Sequence, residues 1–284
     1  EALMNLSPWD YWTRGGRPKP HTLDIVATLE RVLKHNPNHP GACHYYIHAV
    51  EASPRPERAL PCADRLPALM PGAVHLVHMP AHIYMRLGRY AAAVERNLHA
   101  AHVDITYLRD RGTGEFYGMS YYPHTLHFLW AALLMEGRSR EAAKAAAEIT
   151  KTVTPAVVAD RPELELLSPT SWFGYVRFGR WQAVLDEPAP PPALRYATGM
   201  WHFARGLAFS RLNRPEQADE ERRLLGIVVD QMPASRKVGS NSARALLEIA
   251  EHLLVGELAA ARDQEELAVQ ELETALAVEE SLTY

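Results

Sequence analysis

Apolar positions recur along the chain in steps of three and four, and no segment sustains the alternation of a half-buried strand. Ala, Leu, Glu and Arg, all good helix formers, dominate these segments. The pattern predicts an all-α protein whose helices come in pairs. In "GRYAAAVERNLHAA" (88–101) a glycine turn and an aromatic residue precede an alanine-rich helix. With Gly88 at position 15 of a repeating unit, Ala93 falls at position 20, and Ala59 lies one 34-residue period earlier. Pro37 and Pro71 are also 34 residues apart. "MEGRSREAAKAAAEI" (135–149) repeats the arrangement with Gly137 at 15 and Ala142 at 20, after a 15-residue insertion. "VRFGRWQAVLDEP" (176–188) continues it around Gly179 and Trp181. "FSRLNRPEQADEERRLL" (209–225) and "ARDQEELAVQELETAL" (261–276) are weaker copies, with Ala218 and Ala268 at position 20.

This small–turn–aromatic–alanine texture is that of a tetratricopeptide hairpin. A hairpin of this kind cannot bury its apolar face alone and stacks on its neighbours. The expectation is one α-solenoid domain over 1–284, a right-handed superhelix of about five to six hairpins. An irregular N-terminal loop (1–21) precedes the first repeats (22–103). An insertion (104–122), middle repeats (123–185), a proline-rich connection (186–194) and C-terminal repeats (195–284) follow. Pro40 and Pro123 both fall at position 1, where proline suits the first turn of a helix. Neither end shows a polar capping repeat, so further repeats are expected on both sides.

Composition narrows the function classes. There are 30 Lys+Arg and 34 Asp+Glu, for a net charge of −4, which argues against a nucleic-acid binder or a reader of anionic membranes. No apolar run approaches the ~20 residues of a membrane span. Two cysteines, Cys43 and Cys62, make neither a disulfide framework nor a four-cysteine zinc site.

The 14 histidines change the picture. In such repeats, positions near 2, 5, 9 and 12 of the first helix line the concave face, because steps of three and four stay on one side. The first three clear repeats place Gly41, His44, His48 and Glu51 there, then His75, His78, His82 and Met85, then His124, His127, Ala131 and Leu134. Seven of the twelve are His, and the rest of the chain holds the other seven. His44, His48 and Glu51 form HxxxHxxE; His75, His78 and His82 form HxxHxxxH; His124 and His127 form HxxH. One turn of helix puts such imidazoles side by side, as in helical zinc motifs. Cationic rings so placed repel, whereas neutral rings sharing a metal do not. Eight donors exceed the four of one tetrahedral ion, so one or two transition metals (Zn, Fe or Cu) are expected. A pH-sensitive or anion-binding groove is the other reading of the same set.

Pro80 removes one helical hydrogen bond within "HLVHMPAHIY". It either kinks the helix and splays His78 from His82, or marks a helix start that leaves His75 and His78 on a loop. Glu51, Tyr84 and Glu115 are candidate catalytic groups. Cys43 reads as a core thiol or as a soft ligand beside His44, Met79 and Met85 as core or gap-filling or as copper-suited, and the tyrosines 45, 46, 84, 121 and 122 mostly as packing, with one as a proton donor or orienting partner. Trp9, Asp10 and Trp12 read as a plug near the groove or as plain loop packing. His99, His102, His202 and His252 read as singly satisfied polar groups. No phosphate loop, dinucleotide fingerprint, nucleophile elbow or HExxH occurs.

"HPGACHYYIHAVEAS", "HLVHMPAHIYMRLGRY" and "YYPHTLHFLWAALLMEGRS" resemble blocks of a large group of bacterial tetratricopeptide-repeat proteins that carry HPGxxHYxIHAxE and HxxHMPxHIY. The resemblance covers most of residues 1–284. It implies His44, His48, Glu51, His75, His78, His82, His124 and His127 as the motif positions, and no particular activity. Members tend to be longer at both ends and many are exported. The resemblance therefore implies a central fragment and an exported or periplasmic location, with a cytoplasmic one open. Cys43 stands where members often carry another residue, which argues against it as a ligand.

Three functions follow: a metalloenzyme with redox, oxygen or hydrolytic chemistry; a metal-binding or sequestering protein; or a scaffold holding a peptide or small molecule in its groove. The fold alone favours the scaffold. The histidine clustering favours metal.

Overall fold

The structure is a computed structural model that describes residues 1–111 and 116–283, with the side chains of 106–120 outside the description. It is mostly helical, as the three–four periodicity predicts. Among the described residues the only paired strands are the two-residue β1 (Lys237–Val238) and β2 (Asn241–Ser242). No helix among them is long and apolar enough to cross a membrane. The chain divides into two compact units, Glu1–Ala145 and Ala146–Thr283.

The first unit carries α1 (Thr22–His35), α2 (Pro40–Val50), α3 (Leu60–Leu69), α4 (Val74–His78), α5 (Pro80–Arg86), α6 (Tyr90–Arg111) and α7 (Phe116–Met135). Pro40 opens α2 at its first turn, and the His39 ring accepts from the Ala42 N–H, which caps the helix. The apolar face of α2 (Cys43, Tyr46, Ile47, Val50) packs with Ile25 and Val26 of α1, Cys62 and Leu66 of α3, and Met79 and Ile83. Cys43, Cys62 and Met79 are thus core residues. The N-terminal loop is pinned to α2 by the Trp12 indole N–H, which donates to the Ala49 carbonyl at 2.7 Å.

One expectation is corrected. Pro123 does not start a helix: α7 begins at Phe116 and carries Pro123 inside it. Residues 104–111 continue α6 and 116–122 belong to α7. Proline is tolerated there at the loss of one N–H, and Thr125 places its hydroxyl against the Tyr121 carbonyl in the same turn. At Pro80 the outcome combines features of both readings. His75 and His78 are helical, on the five-residue α4, and α5 starts at Pro80 after a single residue, Met79, that keeps helical backbone angles.

The second unit carries α9 (Pro155–Asp160), α10 (Thr170–Arg177), α11 (Trp181–Asp186), α12 (Arg195–Arg211), α13 (Pro215–Gln231), α14 (Ala243–Ala260) and α15 (Glu265–Glu280); the boundary between units falls inside α8 (Ser139–Thr152). Here α12 packs on α13 and α14, and α14 on α15. Buried Glu165 accepts from the Tyr196 and Ala197 N–H groups at 3.0 and 3.2 Å, so a remote carboxylate caps α12.

Five helix ends among the described residues close in the same way. Gly88, Gly137, Gly179, Asn213 and Asp263 take left-handed backbone angles. In each case the next N–H reaches back five residues: Arg89 to Tyr84, Arg138 to Leu133, Arg180 to Tyr175, Arg214 to Phe209 and Gln264 to Ala259. This is the double closure that only Gly, Asn or Asp accepts readily. These five residues hold position 15 in the sequence register. The residue five places on is Ala93, Ala142, Val184, Ala218 or Ala268, and all five are buried.

Candidate metal centre

The histidine positions of the first unit converge. His44 and His48 lie one turn apart on α2, with Glu51 at its C-terminal cap. His75 and His78 lie on α4, His82 on α5 and His124 on α7. Neighbouring ring centroids stand 4.9 Å apart for His44–His48, 5.0 Å for His48–His82, 4.9 Å for His78–His82 and 4.8 Å for His78–His124. The break at Pro80 does not splay His78 from His82: their Nε2 atoms are 3.0 Å apart. His44 and His75 meet in the same way, Nε2 to Nε2 at 3.2 Å.

The outer nitrogens are held by partners of known polarity. Glu51 is the hub: Oε1 lies 2.8 Å from His48 Nδ1 and Oε2 lies 2.6 Å from His82 Nδ1. A carboxylate only accepts, so both Nδ1 atoms carry hydrogen. His78 Nδ1 lies 2.7 Å from Asn97 Oδ1, and the Asn97 amide N–H₂ donates to the Ala93 carbonyl at 2.8 Å. That second bond orients the amide, so Asn97 accepts and His78 Nδ1 donates. In their neutral forms His48, His78 and His82 therefore present lone pairs at Nε2. The Nε2 of His48 is buried with no hydrogen-bond partner. Those of His78 and His82 face each other.

Two lone pairs at 3.0 Å repel unless a cation lies between them. A proton can serve in the metal-free protein and a metal ion in a loaded one. Two nitrogens at ~2.0–2.1 Å from one tetrahedral ion stand about 3.3–3.4 Å apart, close to both facing pairs. Ligand atoms within 4.8 Å of one another occur in three groups: His44/His48/His75, His78/His82/His124 and His48/Glu51/His82.

Burial favours neutral rings. It pushes His44 down to about 4 and His124 to about 3, with neighbouring imidazoles adding repulsion, and it also lowers His48 and His78. For Glu51, burial alone would raise the carboxyl, but attraction to His82 and the hydrogen bonds from His48 and His82 hold it well below the carboxylate range. Charge thus concentrates on Glu51 while most rings stay neutral donors.

His127 stands apart from the three ligand groups. Its ring stacks on Trp130 at 5.2 Å, and burial pushes it down to about 4. The Tyr84 hydroxyl donates to Asp64 at 2.6 Å. Glu115 lies outside the described residues. Trp9 sits edge-on to His48 at 4.5 Å and is half exposed; Asp10 pairs with Lys19. Tyr121 lies 4.9 Å from His75, ring to ring.

Sequence reasoning passed over two neighbours. Phe128 lies 4.8, 4.4 and 5.0 Å from the rings of His78, His82 and His124, an apolar wall on one triad. Asn97 orients His78, and its signal was available: it follows His78 by 19 residues, the separation of His202–Glu221 and His252–Glu271. Compared with known proteins, the chain matches no family model and no curated protein.

Proposed function

We propose that the protein is a tetratricopeptide-type α-solenoid that binds one or two transition-metal ions, Zn, Fe or Cu, in the histidine cluster of its first unit and uses them for metal-dependent chemistry on a small ligand. The observation that carries the metal is the facing pair of His78 and His82, whose outer nitrogens are both committed as donors to Asn97 and Glu51. The buried, unpartnered Nε2 of His48 supports it. Five equivalent helix closures, in register with buried small residues, support the repeat architecture and its tetratricopeptide affiliation.

In this reading Glu51 acts on the metal through His48 and His82. A carboxylate on the far nitrogen fixes ring orientation and raises donor strength. All-imidazole donors suit Zn, Cu or Fe better than Mg or Ca, which take oxygen ligands. The test is elemental analysis of protein purified without a metal-affinity step. Near-stoichiometric transition metal is expected. Less than about a tenth of an equivalent, with no uptake on reconstitution, overturns the proposal.

A further inference from the structure

The six clustered imidazoles divide into two halves of the same make. His44 and His48, an HxxxH pair on α2, combine with His75 from α4. His78 and His82, an HxxxH pair across α4 and α5, combine with His124 from α7. Each half is two rings one turn apart plus one ring from another element. The halves adjoin: His48 and His82 stand 5.0 Å apart, His75 and His78 5.9 Å, and His75 and His124 6.4 Å, ring to ring. Glu51 spans the seam, with one oxygen on a ring of each half.

We infer that the two halves hold a pair of cuprous ions, one per triad, and that the pair takes dioxygen as its ligand. This rests on the metal-binding reading above and specifies which ions bind and what they bind. Three arguments carry it.

The first is donor type. Each half offers three imidazoles and no thiolate, a set that suits copper and leaves each ion an open position. The second is charge. Glu51 contacts a ring of each half and carries a single negative charge. Buried charge is tolerated only when compensated. Two divalent ions would bring four positive charges into the buried cluster. Two cuprous ions place two.

The third argument is that the reaction keeps this balance. Each cuprous ion gives one electron to dioxygen, which is reduced to peroxide, and both ions become cupric. Copper–oxygen bonds form, the O–O bond is retained at lower order, and no proton moves. The two added positive charges on the metals are matched by the two negative charges on the peroxide, so the net charge of the buried cluster does not change. Access fits a small neutral ligand. His44 and His75 are partly exposed, and Phe128 walls the other triad with a surface that donates no proton.

The test titrates the full chain anaerobically with cuprous ion against bicinchoninate, a competing chelator, and then admits dioxygen. Two coppers retained per chain, one dioxygen consumed per two coppers, a new charge-transfer absorption and little isolated cupric resonance are the expected results. His75→Ala and His124→Ala, checked for folding by circular dichroism, should each retain one copper and lose dioxygen uptake. The wild-type stoichiometry decides even if a variant fails to fold. One copper per chain, two coppers without dioxygen uptake, or zinc retained with no cuprous ion held would each overturn the pair while leaving metal binding intact. No transition metal of any kind would end both readings.

Discussion

His78 in the first unit and His202 in the second occupy nearly the same place in their hairpins and meet different partners. Each donates from Nδ1 to a residue 19 positions on, in the following helix: Asn97 for His78, Glu221 for His202. His252 and Glu271 repeat the second arrangement at 2.6 Å. Glu221 also accepts from Arg205 at 2.6 Å, so its charge is matched locally. A carboxylate favours the cationic imidazole strongly through its charge, whereas an uncharged amide oxygen favours it only through the hydrogen bond, against the burial that lowers His78. The His202 and His252 rings lie outside every group of ligand atoms. The His78 ring turns its other nitrogen onto His82. A histidine paired with its own carboxylate is a satisfied polar group. A histidine whose outer nitrogen is pinned by an amide, and whose inner nitrogen meets another histidine, is a ligand waiting for a cation.

The largest effect should come from breaking that facing pair. His78→Ala or His82→Ala removes a donor that few rearrangements replace with the right geometry, and should cost most of the metal held by the His78/His82/His124 triad. His202→Ala should leave metal content nearly unchanged and perturb only packing around Arg205. Metal retained in both first-unit variants and lost in His202→Ala would move the site to the second unit and invert the comparison.

Acid should act next, on the metal-free chain. Burial holds His44 and His127 at about 4 and His124 at about 3, against ~6.5 for an exposed ring. Above ~6.5 these rings are neutral in both folded and unfolded chains and contribute no pH dependence. As pH falls below that value the unfolded chain takes up protons that the folded one refuses, so stability falls. At pH 5.5 each such ring costs about 1.4 kcal/mol, a loss that continues down to its folded value. Glu51 adds in the same direction, since its stabilisation is present above the unfolded carboxyl range near ~4.5 and is lost as pH drops through it. Denaturant unfolding at pH 7.5 and 5.5 measures this. A flat profile would mean that the rings are not buried as a group.

Much of this was legible in the chain, for reasons that differ by feature. Three of the five helix closures were visible at Gly88, Gly137 and Gly179, because left-handed backbone favours glycine, a local constraint that sequence records directly; Asn213 and Asp263 carry a weaker signal. The buried alanines at position 20 were visible because close helix contact selects small side chains. The histidine set was visible because helical geometry turns spacing into adjacency. The helical state of 116–122 ahead of Pro123 was not, since proline can sit inside a helix or at its start, and tertiary contacts choose. Nor was the absence of His127 from the three ligand groups, since it shares HxxH spacing with His124 yet stacks on Trp130. Spacing gives a face of the helix, and the rotamer decides which neighbour on that face is met. For Glu51, spacing alone does not separate a ligand from an orienter: it contacts Nδ1 of His48 and His82 and also belongs to the ligand group His48/Glu51/His82.

The smallest and sharpest effect concerns Asn97, the point where the two units differ by an amide against a carboxylate. Asn97→Ala leaves the His78 Nδ1–H unsatisfied in a fully buried place and frees the ring to rotate or change tautomer. An orienting partner of this kind is worth about 10- to 100-fold in metal affinity. The low end is expected here, because Phe128 still packs against the ring at 4.8 Å. Stoichiometry should not change, since Asn97 supplies no ligand atom to the triads. Asn97→Asp keeps an acceptor of the same length and should restore most of the affinity, because a carboxylate accepts the same hydrogen, as Glu221 does from His202. A purely structural role for Asn97 would show the same affinity in both variants once corrected for folding. Full affinity in Asn97→Ala would mean that His78 takes its orientation from its neighbouring rings alone, and the distinction between the two hairpins would lose its physical basis.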